Sequence, residues 1–311
     1  MPEPAQGPVK EYLTADSADQ DFRLDLYLSE TFSDRSRSFF QKLIKEEKVL
    51  VNGLPAKPSY LLREDDRIKV EFPEPEALKI LPEDIPLDIV YEDDDVILVN
   101  KPKGMVVHPA PGHFSGTLVN ALLFHCSDLS GINGVLRPGI VHRIDRDTTG
   151  IVIACKNDKA HLLISEQLAA HSISRRYHAI VTGNLKDDEG TIDLPIGRDQ
   201  KDRKKMGVDP KNGKNAVTHY RVLERFGDYT SIECRLETGR THQIRVHMAE
   251  IHHPLLGDTV YGSGKSRFQT EGQCLHAYLL GFVHPSSGET MEFTVPDPPY
   301  YEKILNSLRN R

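Results

Sequence analysis

Two stretches of this chain set carboxylates and guanidiniums where apolar strands are ordinarily joined by Gly, Asn and Ser. The first is GIVHRIDRDTTGIVIACK, residues 139–156. An apolar run enters it and another leaves; between them stand His142, Arg143, Asp145, Arg146, Asp147 and a Thr-Thr-Gly bend. The second is LETGRTHQIRVHMAEIHHPLLGDTVYG, residues 236–262, with Arg240, His242, Arg245 and His247. A carboxylate from the first paired with a guanidinium from the second makes a charge-assisted bond, bidentate where geometry allows. Such pairing typically lowers an aspartate pKa by about 1–3 units and keeps the group ionised and nucleophilic in a half-closed cleft. A third cluster, SRRYHAIVTG, embeds Tyr177 between basic residues and a strand. The residues alone leave two readings of the first stretch open: a solvated turn with surface ion pairs, or a turn that offers one carboxylate to a substrate.

Other chemistries fit poorly. GSGKS at residues 262–266 hints at a phosphate loop, but that motif requires Gly where Thr259 stands. HQIRVH spaces His242 and His247 five apart, whereas a zinc helix needs two histidines at i and i+4 with Glu after the first. No serine nucleophile elbow is present. Cys126, Cys155, Cys234 and Cys274 form no Cys-x-x-Cys pair, and their scatter reads as reduced, partly buried thiols of a cytosolic protein. No metal is expected.

The supporting elements must come from 311 residues, enough for about two domains at roughly 100–200 residues each. No run approaches the ~20 apolar residues of a membrane helix. The polar start MPEPAQGPVKEYLTADSADQDF lacks the basic and apolar regions of a signal peptide and reads as a flexible tail over residues 1–20. Net charge is −7, which argues against a polyanionic partner until its distribution is read. Residues 71–95 hold ten acids and one lysine, net −9, so the rest of the chain carries +2. Local patches, not the total, steer a polyanion to a surface.

Residues 21–72 read as a small module. Phe39, Phe40, Leu43 and Ile44 recur at helical spacing after the cap candidates Ser33 and Ser36. Asn52-Gly53 marks a hairpin, and DDRIKVEF alternates as a strand. Arg35, Arg37, Lys42 and Lys45 line one side of the helix, as a solvated face or an RNA contact. The R-L-D opening, the S-R-S helix start and the V-N-G turn of this segment resemble an S4 domain. The resemblance implies binding of structured RNA by shape and phosphate contacts. Residues 73–88 read as an acidic, Pro-stiffened linker. From residue 89 to 311, short strands with hairpin-length links alternate with a few helices, as in LDIVYEDDDVILVNKP, GTLVNALLFHC and KAHLLISEQLAAH. This is an α+β pattern with a mixed, largely antiparallel sheet.

HRIDRDTTG, preceded by VNKPKGMVVHP and followed by RRYHAIVTG and LETGRTHQIRVHMA, resembles the RluA-type pseudouridine synthases. The S4-bearing subgroup that modifies large-subunit ribosomal RNA is the nearest likeness, over about residues 21–296. The resemblance implies the pseudouridine synthase fold and a cofactor-free isomerase acting on a base drawn out of its stack. It implies that Asp145 is the catalytic aspartate and that Arg245 pairs with it. It implies that Tyr177 stacks on the target uracil, with a role as base left open. Arg143 is implied to touch RNA near the extruded nucleotide. Ile144 stands where Leu is common, a volume-conserving change. Asp147 reads as a cap for the turn through backbone N–H groups. Residues 197–214, with seven basic and three acidic residues, read as a mobile arm in which Arg203, Lys204 and Lys205 contact phosphates. The expected partner is large-subunit ribosomal RNA or a pre-ribosomal particle, bound by a cytoplasmic monomer without membrane contact. Transfer RNA as the substrate, or a non-catalytic role in ribosome assembly, are the rival readings.

Overall fold

Residues 10–32, 37–72, 80–109, 113–132, 137–199, 202, 205–262, 267, 268 and 270–310 are described by the computed structural model. They fall into two units, Met1–Ala77 and Leu78–Arg311.

In the first unit, β1 (Lys10–Thr14), α1 (Leu24–Thr31), α2 (Arg37–Lys45), β2 (Val49–Val51), β3 (Leu54–Pro55) and β4 (Arg67–Glu71) follow one another. The strands form an antiparallel sheet in the order β1-β4-β2-β3. The helical spacing read in α2 turns Phe40, Leu43 and Ile44 inward against Leu24, Leu28, Val49, Ile68 and Val70. Each such side chain contributes about 1.5–3 kcal/mol on burial. Asn52 and Gly53 both take positive φ, 52° and 79°, as a two-residue hairpin turn demands. The flexible-tail expectation fails at residues 10–14. These pair in register with Arg67–Glu71 as an edge strand in which only Leu13 is partly covered. Arg35, Ser33 and Ser36 lie outside the described residues.

The second unit contains β5 (Ile89–Glu92), β6 (Val96–Lys101), α3 (Leu118–His125), β7 (Thr149–Cys155), α4 (Asp158–Ala169), β8 (Ser174–Thr182) and β9 (Glu189–Asp193). It continues with β10 (Ile196–Arg198), β11 (Met206–Val208), β12 (Val217–Arg225), β13 (Tyr229–Leu236), α5 (Gln243–Glu250), β14 (Leu275–Val283), β15 (Thr290–Thr294) and α6 (Pro299–Arg309). The main sheet runs β5-β6-β7-β14-β8-β13-β12-β9, with β15 added to β14. All its pairings are antiparallel except β14 with β7, so the sheet is mixed and the fold α+β.

Apolar cover on both faces explains why β7 is buried along its whole length. Val152 and Ala154 join the core that holds α3 and α5; Ile151, Ile153 and Cys155 join the core under α4. Tyr177, Ala179 and Val181 of β8 face the first of these cores, while Ile180 faces α6 on the other side. The period-2 pattern of β8 thereby decides which of its polar side chains reach the site.

Two further expectations change. Residues 80–88 are not a free linker. Glu83 donates its backbone N–H to the Asn120 carbonyl and accepts from Gly116 through its carboxylate, and Ile80 and Leu87 pack on the core. The basic segment at 197–214 is not a mobile loop at its base. β10 and β11 pair there as a two-stranded ribbon, held by Ile196, Met206 and Val208 against Val246. The four cysteines are buried and unpaired, and burial pushes the Cys126 thiol up to about 11 and those of Cys155 and Cys274 to about 12. Among the described residues, no helix is long and apolar enough to cross a membrane.

Candidate active site

The turn that carries Asp145 is pinned from below before any side chain is placed. Lys101, at the end of β6, is fully buried and its ammonium donates to the carbonyls of Pro102, Met105 and Arg146 at 2.8, 2.8 and 3.0 Å. The Gly104 N–H reaches the same Arg146 carbonyl at 3.0 Å. Burial drives the Lys101 pKa down to about 7, against the pull of Asp147 and Asp145. Beyond the turn, Gly150 crosses β14 so closely that an added Cβ would lie 2.2 Å from the Ala277 carbonyl oxygen, at a φ of +112°. Only glycine fits there. Thr149 meets His276 Nδ1 at 2.8 Å, and Gln273 donates to Thr148 at 3.1 Å. His142 faces inward: its Nε2 accepts the Ile153 N–H at 3.1 Å, and burial, then the Arg175 charge, lowers its pKa to about 3. Asp147 does not cap the turn as expected. Its carboxylate takes the Arg146 guanidinium at 2.9 and 3.0 Å, so the two charges of this dipeptide satisfy each other.

Asp145 meets Arg245 across 100 residues of chain: Arg245 Nη1 donates to Asp145 Oδ2 at 2.9 Å. The rest of that guanidinium belongs to Asp258, which accepts Nε at 2.7 Å and Nη2 at 3.0 Å. Asp258 also accepts the N–H groups of Val260 and Tyr261. Burial opposes its charge, yet Arg245 and these amides hold its carboxyl below the usual range. Arg245 is likewise buried, and the two carboxylates more than offset that cost and raise its pKa. The Asp258 side chain is 0% exposed and Asp145 is 18% exposed. Asp258 therefore fixes the arginine, and Asp145 keeps lone pairs open to the cleft. His242 starts α5 in the left-handed region and bonds the Tyr261 hydroxyl at 2.8 Å. Its Nε2 lies 3.8 Å from Asp145 Oδ1.

These groups open on a cleft of about 530 Å3 lined by Asp145, Tyr177, Arg137, Arg143, Arg175 and Arg240, among others. Tyr177 is buried, and burial raises its phenol pKa above the ordinary value. Arg143 is exposed and donates from Nη1 to His108 Nε2 at 3.2 Å. Burial, then the Arg143 charge, drives His108 down to about 4, so the ring is neutral and accepts the bond at neutral pH.

The structure thus gathers Asp145, Tyr177, Arg143 and Arg245 at one place. Of the other named residues, Arg37 and Lys42 belong to the first unit and Lys205 to the second. Arg37 spends its Nε on Asp25 at 2.9 Å, Lys42 is exposed beside Glu46, and Lys205 lies in the segment leading into β11. Arg203 and Lys204 lie outside the described residues. His247 is structural, bonded to Thr218 and the Leu194 carbonyl. Sequence reading missed Asp258, Lys101 and His108. All three stand inside the quoted motifs HPLLGDTVYG and VNKPKGMVVHP, but nothing local marks which polar residue is turned inward. Among the described residues, Glu92, His125 and Cys126 have metal-like proximity. Their carboxylate already takes the Lys156 ammonium at 3.0 Å and His125 at 2.8 Å, so a cation occupies that charge.

Comparison with known proteins gives this geometry a family. Residues 95–250 match the family described as RNA pseudouridylate synthase, and residues 22–68 match the S4 domain. The RNA pseudouridine synthase YlyB of Bacillus subtilis (strain 168) is 54% identical, over 96% of this chain and 97% of its own. The ribosomal large subunit pseudouridine synthase D of Zymomonas mobilis is 46% identical, over 92% of this chain and 94% of its own. The structure of human RNA pseudouridylate synthase domain containing 1 superposes with a TM-score of 0.55 at 25% identity, covering 76% of this chain and 98% of that one. The chain is a member of the RNA pseudouridine synthase family that carries an S4 domain at residues 22–68.

Proposed function

We propose that this enzyme converts uridines of large-subunit ribosomal RNA to pseudouridine, with Asp145 as the reacting carboxylate. The observation that carries the assignment of Asp145 is the arrangement on Arg245: one carboxylate saturated and sealed, the other held by a single firm bond in the lining of a cleft. The name shared by relatives such as the Zymomonas mobilis protein supports the substrate.

The reaction breaks the N1–C1′ bond of a uridine and joins C5 of the same base to C1′. A proton leaves C5 and one arrives at N1, so the change is an isomerisation and no electron carrier takes part. Asp145 adds to the base or sugar, or assists loss of the C2′ proton. The ring of Tyr177 holds the uracil flat while it turns. Withdrawing the base from its stack costs a few kcal/mol, least in a loop or bulge, which favours loop uridines as targets. The S4 domain holds structured RNA through phosphate and shape contacts. The two units, the first taking in β1 and the second taking in residues 80–88, fit this division of labour. The protein acts as a cytoplasmic monomer.

Site-resolved pseudouridine mapping tests the proposal. Unmodified large-subunit ribosomal RNA is treated with the wild type and, in parallel, with Asp145→Asn. New pseudouridines with the wild type alone are the expected result. Their absence with both proteins, while both bind the RNA, overturns it and turns attention to transfer RNA.

A further inference from the structure

Arg175 has no role in the scheme above, and its surroundings ask for one. It stands two residues before Tyr177 on β8, so both side chains project from the same face of the strand. Its neighbour Arg176 points to the opposite face, toward Glu233 at 3.5 Å. Arg175 is only 6% exposed, yet no carboxylate pairs with it among the described residues. Among the described residues its guanidinium makes one hydrogen bond, from Nη2 to the Glu237 carbonyl at 3.0 Å, and Nε has no partner. A buried, unpaired guanidinium is costly, and natural proteins ordinarily neutralise one.

Room for this side chain is built into the facing segment. A Cβ added at Gly239 would lie 2.5 Å from Arg175 Nη1, and the next nearest atoms are also those of the Arg175 guanidinium. Glycine at 239 is therefore the space in which the guanidinium lies. Asp145 makes no bond to Arg175, and the group Asp145–Arg245–Asp258 carries a net charge of −1 against the guanidiniums of Arg137, Arg143, Arg175 and Arg240 in the cleft lining. The cleft rests with surplus positive charge.

We infer that Arg175 is a catalytic residue whose guanidinium meets the negative charge that develops on the uracil when its N1–C1′ bond breaks. The inference rests on the uridine-isomerising reading above. In that step the bonding pair of N1–C1′ departs with the base and spreads over the ring and its two carbonyl oxygens. Carbon C5 then gives a pair to C1′, loses its proton, and N1 is protonated, so charge and atoms balance. A cation placed beforehand in a dry site stabilises the transient anion without reorganisation. Depth separates this role from a phosphate grip. Arg137 and Arg143 are exposed at the same cleft and suit the RNA backbone, whereas Arg175 lies below them beside the aromatic ring.

The test uses full-length protein and a large-subunit ribosomal RNA transcript carrying 5-tritiated uridine, whose tritium is released as C5 loses its proton. Arg175→Gln is expected to lower the single-turnover rate at saturating RNA by about 100-fold. RNA affinity should stay within about threefold of the wild type, since the phosphate contacts lie elsewhere. Arg175→Lys should recover part of the rate. Gly239→Ala should cost about tenfold by displacing the guanidinium, and add little in the Arg175→Gln background. An unchanged rate, or a weakened affinity at unchanged rate, overturns the inference. A second arm needs no turnover. Binding of 5-nitrouracil, which ionises near neutral pH, is compared with binding of uracil by NMR titration. The wild type should prefer the anion and Arg175→Gln should lose that preference; no preference in the wild type also overturns the inference. Absence of tritium release from the wild type alone counts against the uridine-isomerising reading, and the anion preference still decides the role of Arg175.

Discussion

Asp25 and Asp145 sit in the same local pattern, Arg-Leu-Asp in one unit and Arg-Ile-Asp in the other, and meet opposite ends. In the first, Arg23 folds back on Asp25 at 3.0 and 3.2 Å, and Arg37 and Gln41 add bonds of 2.9 and 2.7 Å. The Asp25 side chain is completely covered; burial opposes its charge, but these donors hold its carboxyl well below the usual range. In the second, Arg143 turns away to His108, and Asp145 takes a cation from α5 instead. One carboxylate is saturated and ties two helices together. The other keeps acceptor capacity facing a cleft. An Arg-x-Asp tripeptide therefore does not determine its own chemistry; the donors that later elements bring, and how fully they cover the acid, decide it.

The sharpest way to break this comparison is to neutralise both acids. Asp145→Asn is expected to reduce pseudouridine formation by about 10³-fold or more, with thermal stability close to wild type. Asp25→Asn should do the reverse. Chemistry on bound RNA should be unchanged, while the first unit loses about 1.5–3 kcal/mol, the scale of a hydrogen bond to a charged group. Single-turnover rates and urea unfolding of the two variants measure this, and a stability loss at Asp145 equal to that at Asp25 would erase the distinction.

Asp258 sharpens it one step further, because it shares Arg245 with Asp145 but resembles Asp25 in being saturated. Asp258→Asn should lower the rate by about 100-fold through misplacement of the arginine, with RNA affinity unchanged. It should also cost about 3–5 kcal/mol of stability, as loss of one partner of a buried pair does.

Acid separates the two units by pH window. His142 and His108 have folded pKa values of about 3 and 4, below the ordinary 6.5. Between those values and about pH 6.5 the unfolded chain binds protons that the fold refuses, so stability falls as pH drops. The slope is at most about 1.4 kcal/mol per pH unit for each histidine. Asp25 has a depressed pKa, so its contribution is complete above about pH 4 and is lost only below it. Urea midpoints from pH 7.5 to 3 should show the second unit weakening first, and His142→Gln should flatten that first decline.

Much of this was legible in the chain because the residues concerned are consecutive. HRIDRDTTG states its own turn, and the alternation of RRYHAIVTG puts Tyr177 on the covered face. The helix of Phe39, Phe40, Leu43 and Ile44 declares its buried side by spacing. What escaped depends on contacts made far along the chain. Asp258 is sealed by an arginine 13 residues before it, and Lys101 by a carbonyl 45 residues after it. Residues 10–14 look like tail because an edge strand is defined by its neighbour, here β4, and not by its own polarity. Asp147 looks like a turn cap, but the adjacent guanidinium of Arg146 competes better for its oxygens than backbone amides do.

The smallest expected effect concerns Tyr177, where the comparison moves from acids to a phenol. Burial raises its pKa above the ordinary value, with the Arg175 charge acting against that rise. At neutral pH the hydroxyl therefore keeps its proton and is not poised to take another. Tyr177→Phe preserves the ring and its burial, so it should slow turnover by less than about tenfold. A general base would cost about 10²–10⁴ on removal. Tyr177→Ala, which deletes the platform, should cost far more than Tyr177→Phe. A large loss with phenylalanine, and a rate that rises with pH in the wild type but not in the variant, would assign the proton transfer to the phenol and leave the stacking role secondary.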